Sequence, residues 1–219
     1  MASTTVENYL KTIYKMEQKN PDQLVSNGAL SDEMNVSPGT ATSMIKTLSD
    51  AGLVDYQSRN GCKLTPGGEQ LALHVLRRHR LIEVFLVKTL SYDWSEVHEE
   101  AEQLEHVISD KLLDRIDKFL GRPRFDPHGD PIPSADGEIE PRILKSLANC
   151  MAGVSAKIAR IMDQNPEFLQ FVDSKGLVPG NEILIESNNK VADAIEIKLG
   201  DLSLTVSGSV AEKILVETN

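Results

Sequence analysis

The sequence predicts a mainly α protein in three parts: an N-terminal winged helix-turn-helix over residues 1–65, a helical domain over 66–140, and a small SH3-like β-barrel over 141–219. Three observations predict it. Apolar residues recur at helical spacing through most of the first 120 positions. Asn60-Gly61 lies between two short extended runs, a hairpin signal that follows two short helices. Near the end the pattern changes to short β-type runs, "GNEILIE", "DAIEIKLG", "DLSLTVS" and "KILVET".

Residues 4–17 read as an amphipathic helix, with Val6, Tyr9, Leu10, Ile13 and Tyr14 on one stripe and Thr4 with Glu7 as a capping box. Asn20-Pro21-Asp22 ends it. A short helix is expected around Gly28–Met34. Ser37 then caps a third helix with Pro38 at its first position, Ala41, Met44, Ile45 and Leu48 on its apolar face, and Gly52 as a left-handed stop. Thr65-Pro66 opens a long helix to about Thr89. Asp93 and Glu96 cap the next, and another runs from about Ser109 to Leu120. Residues 121–137, rich in Pro, Gly and Asp, read as an irregular connector, and a helix is expected near Pro166–Asp173.

The chain has 219 residues, 40% of them hydrophobic, enough for a core. No apolar run reaches the roughly 20 residues of a membrane span, and the start shows no secretory pattern. The two cysteines, Cys62 and Cys150, are far apart, which suits a reducing cytoplasm better than a disulfide framework. The formal net charge of −10 counts against a nonspecific nucleic-acid binder, unless bound cations offset it.

The segment "HEEAEQLEH" (98–106) crowds two histidines among four carboxylates. On a wheel of about 100° per residue, His98, Glu102, Glu105 and His106 fall within roughly a third of the circumference, beside a packing stripe of Ala101, Leu104 and Ile108. On the preceding helix His79 and Glu83 share a face at i and i+4. Carboxylates this close repel one another, and a divalent metal removes the penalty. A solvated acidic face is the bland alternative. The zincin pattern H-E-x-x-H, its inverse, the Glu-x-x-His pairs of di-iron bundles, the nucleophile elbow and the phosphate loop are all missing, so the chain is not expected to be an enzyme.

With "ENYLKTIY", "VSPGTATSMIKTL", "GCKLTPGGEQLA", "RRHRLIEVFLV", "VHEEAEQLEHVISDKLLDRIDKFLG" and "DPHGDPIP" in view, the chain resembles the diphtheria-toxin-repressor family of metal-dependent transcriptional regulators. It looks closest to the manganese-responsive members with a C-terminal SH3-like, FeoA-like domain. The resemblance covers the whole chain and is looser over the last 75 residues. It implies that 66–140 is a metal-binding and dimerisation domain. It implies a primary site of Asn8, Glu102, Glu105 and His106, with His79 nearby. A second site would use Glu83, with His79 and His98, the connector residues Asp126 and His128, and a carboxylate of the last domain, Asp163 or Glu167.

Iron-responsive members carry Met at the Asn8 position and Cys at the Glu102 position. Oxygen donors at both positions suit Mn²⁺, with Fe²⁺ the second choice; Co²⁺, Ni²⁺ or Zn²⁺ can substitute in vitro, since raw affinity follows the metal series. Asn8 departs from the manganese pattern, which has Asp there, and brings less charge.

The helix from Pro38 to Ala51 would enter the major groove of a double-stranded DNA operator, presenting Ser37, Gly39, Thr40, Thr42, Ser43, Lys46 and Thr47, with Arg59 and Lys63 of the wing on the backbone. Leu76, Leu81, Val84, Phe85 and Leu90 offer apolar surface for a homodimer or, equally, for ordinary core. The expected protein is therefore a cytoplasmic homodimeric repressor with Mn²⁺ as corepressor, limiting metal uptake, with no membrane partner. The rivals are a metal-dependent enzyme, a metal buffer, and an activator on the same fold.

Overall fold

The computed structural model describes residues 3–218. It divides into two compact units: the first runs to His79 and includes Pro133–Glu138, and the second comprises Arg80–Ile132 and the chain from Ile139 onward. The division falls inside one long helix.

The first unit opens with α1 (Thr4–Lys19), whose Tyr9, Leu10, Ile13 and Tyr14 are buried as their spacing requires. Its cap is not the expected Thr4. Ser3 holds extended dihedrals and its Oγ accepts from the Val6 amide, and Thr4 is already helical. Glu7 is buried and pairs with Arg78 at 3.6 Å. Next come α2 (Asn27–Glu33), capped by Ser26, and α3 (Pro38–Asp50), capped by Ser37. Ala41, Ile45 and Leu48 anchor α3 in the core, and Gly52 turns the chain at φ +71°.

The wing is the antiparallel pair β1 (Val54–Gln57) and β2 (Gly61–Leu64), in register from Val54 opposite Leu64 to Gln57 opposite Gly61. Val25 and Cys62 exchange two backbone hydrogen bonds of 2.9 Å each, which fastens the wing to the segment before α2. The Glu17 carboxylate of α1 accepts from the Leu64 amide at 2.7 Å. Helix α4 (Pro66–Leu90) begins here, and Arg77 donates to the Pro133 carbonyl at 2.7 Å, which holds the returning segment.

The second unit contains the rest of α4, then α5 (Val97–Leu104) and α6 (Asp110–Phe119). Leu81, Val84, Leu113 and Ile132 form one buried cluster, and Ile82, Leu86, Val97 and Ala101 form another. The stripe read as either dimer surface or ordinary core is thus split: Leu76, Leu81 and Val84 are core, whereas Leu90 is 55% exposed. Val107, Leu112 and Phe119 are the larger exposed apolar groups of α6 and its approach.

The remaining chain forms an antiparallel six-stranded sheet in the order β3-β8-β4-β5-β6-β7. Its strands are β3 (Lys145–Ser146), β4 (Ser155–Ile161), β5 (Glu182–Asn189), β6 (Ala194–Leu199), β7 (Leu202–Ser207) and β8 (Ile214–Thr218), with α7 (Pro166–Ser174) and α8 (Gly208–Ala211) between them. Ile158, Ile161, Leu169, Val172, Ile183, Ile185, Ile197, Ile214 and Val216 fill its core, and Trp94 from the α4–α5 loop packs against it. The sequence reading missed β4, which lies between β8 and β5. A bulge between Ile158 and Arg160 puts Ile158 and Ala159 side by side in the interior and hides the alternation.

The connector lies against β4. The Ile161 amide donates to the His128 carbonyl at 2.8 Å, and Gly129 sits at φ +88°. A Cβ at Gly129 would overlap the Ala159 carbonyl oxygen and stand 2.8 Å from Arg160 Cα. Gly129→Ala should therefore destabilise the protein by about 2–4 kcal/mol, a backbone clash added to left-handed strain. Urea denaturation of the metal-free protein measures this; an unchanged midpoint would show that the connector moves aside freely.

Candidate metal centre and DNA-binding surface

Helix α4 carries Glu83 into the second unit's interior, where it is 1% exposed. From α5, His98 Nδ1 lies 3.3 Å from Glu83 Oε1, and His98 Nε2 lies 3.7 Å from Glu102 Oε1. Helix α5 ends at Leu104, but Glu105 keeps helical dihedrals (φ −58°, ψ −29°) and its amide donates to the Ala101 carbonyl at 2.9 Å, so it stays on the arc expected from the wheel. His106 lies in the turn beyond. Glu105 is fully buried, and its Oε1 lies 3.2 Å from His106 Nε2. Ile108, beyond the helix, still packs against both small clusters.

The connector completes a buried group. Carboxylate oxygens of Glu83 and Asp126 and a ring nitrogen of His128 lie within 4.8 Å of one another. His128 Nδ1 is 4.0 Å from Glu83 Oε2. Its Nε2 is 2.8 Å from the Trp94 carbonyl oxygen, an acceptor, so Nε2 carries the proton. In the neutral ring Nδ1 then keeps its lone pair, the form a metal requires. The ring also stacks on Trp94 with centroids 5.5 Å apart.

Asp126 Oδ1 accepts from the His128 and Asp130 amides, each at 2.9 Å, which folds the connector around the carboxylate. Arg80 reaches Asp126 at 3.6 Å and Asp130 at 3.4 Å. Asp130 also receives Arg160 at 2.5 Å and Gln164 at 2.9 Å. Sequence reasoning overlooked Arg80, Trp94 and Asp130. A four-residue Asp-to-Asp spacing was the only available sign of the last. Burial first, then the charges of Asp130 and Glu83, push the Asp126 carboxyl well above the usual range, and Arg80 opposes this only in part.

Asp163 and Glu167 do not join this group. Asp163 bonds to Lys213 at 2.7 Å, which holds its carboxyl below the ordinary range. Glu167 is exposed in the first turn of α7. Neither cysteine is a candidate ligand. Cys62 is buried in the wing, where desolvation pushes its thiol up to about 12, and Cys150 is buried in the sheet domain. In the first unit, Asn8 on α1 has a buried Oδ1 that accepts no hydrogen bond, and His79, also buried, stands one turn before Glu83 on α4. Within the second unit, the buried carboxylates of Glu83 and Asp126 and the fixed tautomer of His128 form a hard-donor set that fits a divalent cation.

On α3, Gly39, Thr40, Ser43, Lys46 and Thr47 are exposed, opposite the buried Ala41, Ile45 and Leu48. Several hydroxyls are already engaged. Ser37 Oγ accepts from the Thr40 amide at 3.1 Å, Thr42 donates to the Pro38 carbonyl at 2.8 Å, and Thr47 donates to the Ser43 carbonyl at 3.1 Å. Arg59 sits at the hairpin tip with φ +69°, and Lys63 is exposed on β2.

The family model for the iron-dependent repressor N-terminal DNA-binding domain matches residues 1–62. That for the iron-dependent repressor metal-binding and dimerisation domain matches 65–134, and the FeoA domain matches 145–218. The iron-dependent repressor IdeR of Mycobacterium leprae (strain TN) is 27% identical over 225 residues, spanning 97% of this chain and 96% of the relative. A manganese-dependent transcriptional repressor solved in complex with manganese is 37% identical with a TM-score of 0.87, over 98% of this chain and 100% of the other. ScaR, solved with bound Zn²⁺, is 32% identical with a TM-score of 0.78, over 98% and 99% of the two chains.

In the folded, metal-free protein Asp126 holds its proton to higher pH than in the unfolded chain, so its ionisation costs stability as pH rises from the ordinary carboxylate range. Asp126→Asn should raise the metal-free melting temperature at pH 7 by about 3 °C, and the gain should shrink as the pH approaches 4. The same substitution should weaken Mn²⁺ uptake. Calorimetry across pH, paired with equilibrium dialysis, reads both effects; a lower melting temperature at pH 7 would refute the charge argument.

Proposed function

The chain belongs to the iron-dependent repressor family of metal-dependent DNA-binding transcriptional repressors, and from that membership we propose that it is a Mn²⁺-responsive, cytoplasmic, homodimeric repressor of manganese-uptake genes. The family's members are regulators, and the chain is not an enzyme. Family repressors dimerise through the metal-binding domain. Among the described residues no helix is long and apolar enough to cross a membrane.

The observation that carries the metal reading is the buried meeting of Glu83, Asp126 and His128. The donors of the first unit would be Asn8 and His79. Those of the second would be Glu83, His98, Glu102, Glu105, His106, Asp126 and His128. A bound divalent cation would offset the repulsion among the second unit's carboxylates, with the primary and second sites kept as separate groups. The protein's own part is to keep those groups ready. Asp126 folds the connector, the Trp94 carbonyl sets the His128 tautomer, and burial of Glu83 and Glu105 keeps water from competing. Val107, Leu112 and Phe119 supply apolar surface for a second copy.

The choice of Mn²⁺ over Fe²⁺ rests on two points. No thiol stands among the candidate ligands, and a manganese-bound repressor is 37% identical against 27% for an iron-dependent relative. Fe²⁺ is the second reading, favoured by the iron-dependent relatives that span almost the whole chain. In the DNA reading, the exposed face of α3 occupies the major groove and Arg59 and Lys63 meet phosphates.

Titrating DNA binding against metal tests the proposal on the promoters of metal-uptake genes. A chelator should abolish the complex, and Mn²⁺ should restore it at lower free concentration than Fe²⁺ does under anaerobic conditions. Glu102→Ala should raise the Mn²⁺ required at least ~10-fold, a loss of about 1.4 kcal/mol in coupled binding. An unchanged Mn²⁺ requirement would remove Glu102 from the site. Lys63→Ala should lower the salt slope of log K by about 1, as one phosphate contact is lost.

A further inference from the structure

One polar junction in the first unit joins both helices of the helix-turn-helix to the wing. Asn27 opens α2, Thr42 lies early in α3 and Tyr56 lies in β1, and all three are half-buried. The Asn27 side-chain amide donates to Thr42 Oγ1 at 3.0 Å and to the Tyr56 hydroxyl oxygen at 3.3 Å.

Proton counting settles the orientation of this amide. Thr42 has one hydroxyl proton, and it goes to the Pro38 carbonyl at 2.8 Å. Toward Asn27 it can only accept, so the amide nitrogen faces it. The second amide proton goes to Tyr56. Both Nδ2 protons are then used, and Tyr56, as acceptor, keeps its own proton for a partner outside the triad.

We propose that Asn27 is a positioning residue for DNA binding: it holds the Thr42 hydroxyl inward, away from base edges, and fixes Tyr56 as a hydrogen-bond donor to a backbone phosphate oxygen. The proposal rests on the DNA reading above. It changes the expected role of Thr42, whose hydroxyl proton is committed to its own helix, and leaves that residue's methyl group as its means of reading a thymine. It also adds two residues, Asn27 and Tyr56, that no charge or motif marks in the sequence. A neutral donor holds a phosphate without releasing a counterion, so its loss lowers affinity and leaves the salt dependence alone. Loss of Arg59 or Lys63 changes both.

The test uses the full-length protein with Mn²⁺ and the duplex that the wild-type protein selects from a random pool. Fluorescence anisotropy then compares wild type, Tyr56→Phe, Asn27→Ala and the double variant across salt. Tyr56→Phe should bind about 3–10-fold more weakly with an unchanged salt slope, and with unchanged Mn²⁺ uptake and melting temperature. Asn27→Ala should lose at least as much, and the double variant should be no weaker than Asn27→Ala alone, because Tyr56 depends on Asn27. Wild-type affinity in Tyr56→Phe overturns the proposal, as does a double variant whose losses multiply. Tyr56→Phe decides the matter even if Asn27→Ala unfolds. Failure of the wild-type protein to select any duplex would sink the DNA reading itself, and this proposal with it.

Discussion

Two carboxylates and an imidazole share one buried place in this protein, and much of its second unit is arranged around that constraint. Glu83 and Asp126 are almost wholly removed from solvent, with His128 beside them. Two anions so confined oppose each other's ionisation. Arg80 relieves part of the strain on Asp126, but its guanidinium is shared with Asp130. A chain that only had to fold would do better with apolar side chains here. Keeping the charges makes sense where a cation is to be bound, and membership of a metal-dependent repressor family gives that cation its purpose.

The connector carries this constraint into the sheet domain. Its residues 126–130 are tied by backbone hydrogen bonds to Asp126, by the His128 carbonyl to Ile161, and by Asp130 to Arg160 and Gln164. Gly129 lets the chain approach Ala159 more closely than any side chain would allow. Trp94 works at both ends of the arrangement: its carbonyl orders His128, and its ring packs on the sheet core. The loop between α4 and α5, the connector and β4 are therefore one mechanical piece. These contacts set the direction in which Nδ1 of His128 points.

The DNA-binding part follows a different logic. Its charges nearly cancel, and α3 is dressed in hydroxyls that mostly satisfy their own backbone. Such a surface gains little nonspecific affinity from electrostatics. Geometry is left to decide where it binds, and that suits a regulator whose affinity must depend on metal.

Most of the architecture was legible because it rests on local periodicity. The stripe Tyr9-Leu10-Ile13-Tyr14, the Ser37-Pro38 start of α3 and the turn at Asn60-Gly61 each specify their element through nearest-neighbour physics. The hard-donor chemistry of 79–106 was legible for the same reason, as histidines and carboxylates recur at helical spacing. Where a local rule failed, a longer-range interaction had won. Helix α5 ends at Leu104, so His106 reaches its place from the turn beyond the helix. Glu7 turns to Arg78 instead of capping α1, and a bulge conceals β4. By itself the sequence determined the order of the main helices and the wing, the family and the kind of donor available, since these depend on neighbours a few residues apart. The resemblance grouped Glu83 with Asp126 and His128, but spacing did not, and the tertiary structure decided which of the candidate donors lie together. It brought Asp126 and His128 to Glu83 and gave Asp163 to Lys213, because hydrogen bonds and burial across 40 or more residues leave no trace in spacing.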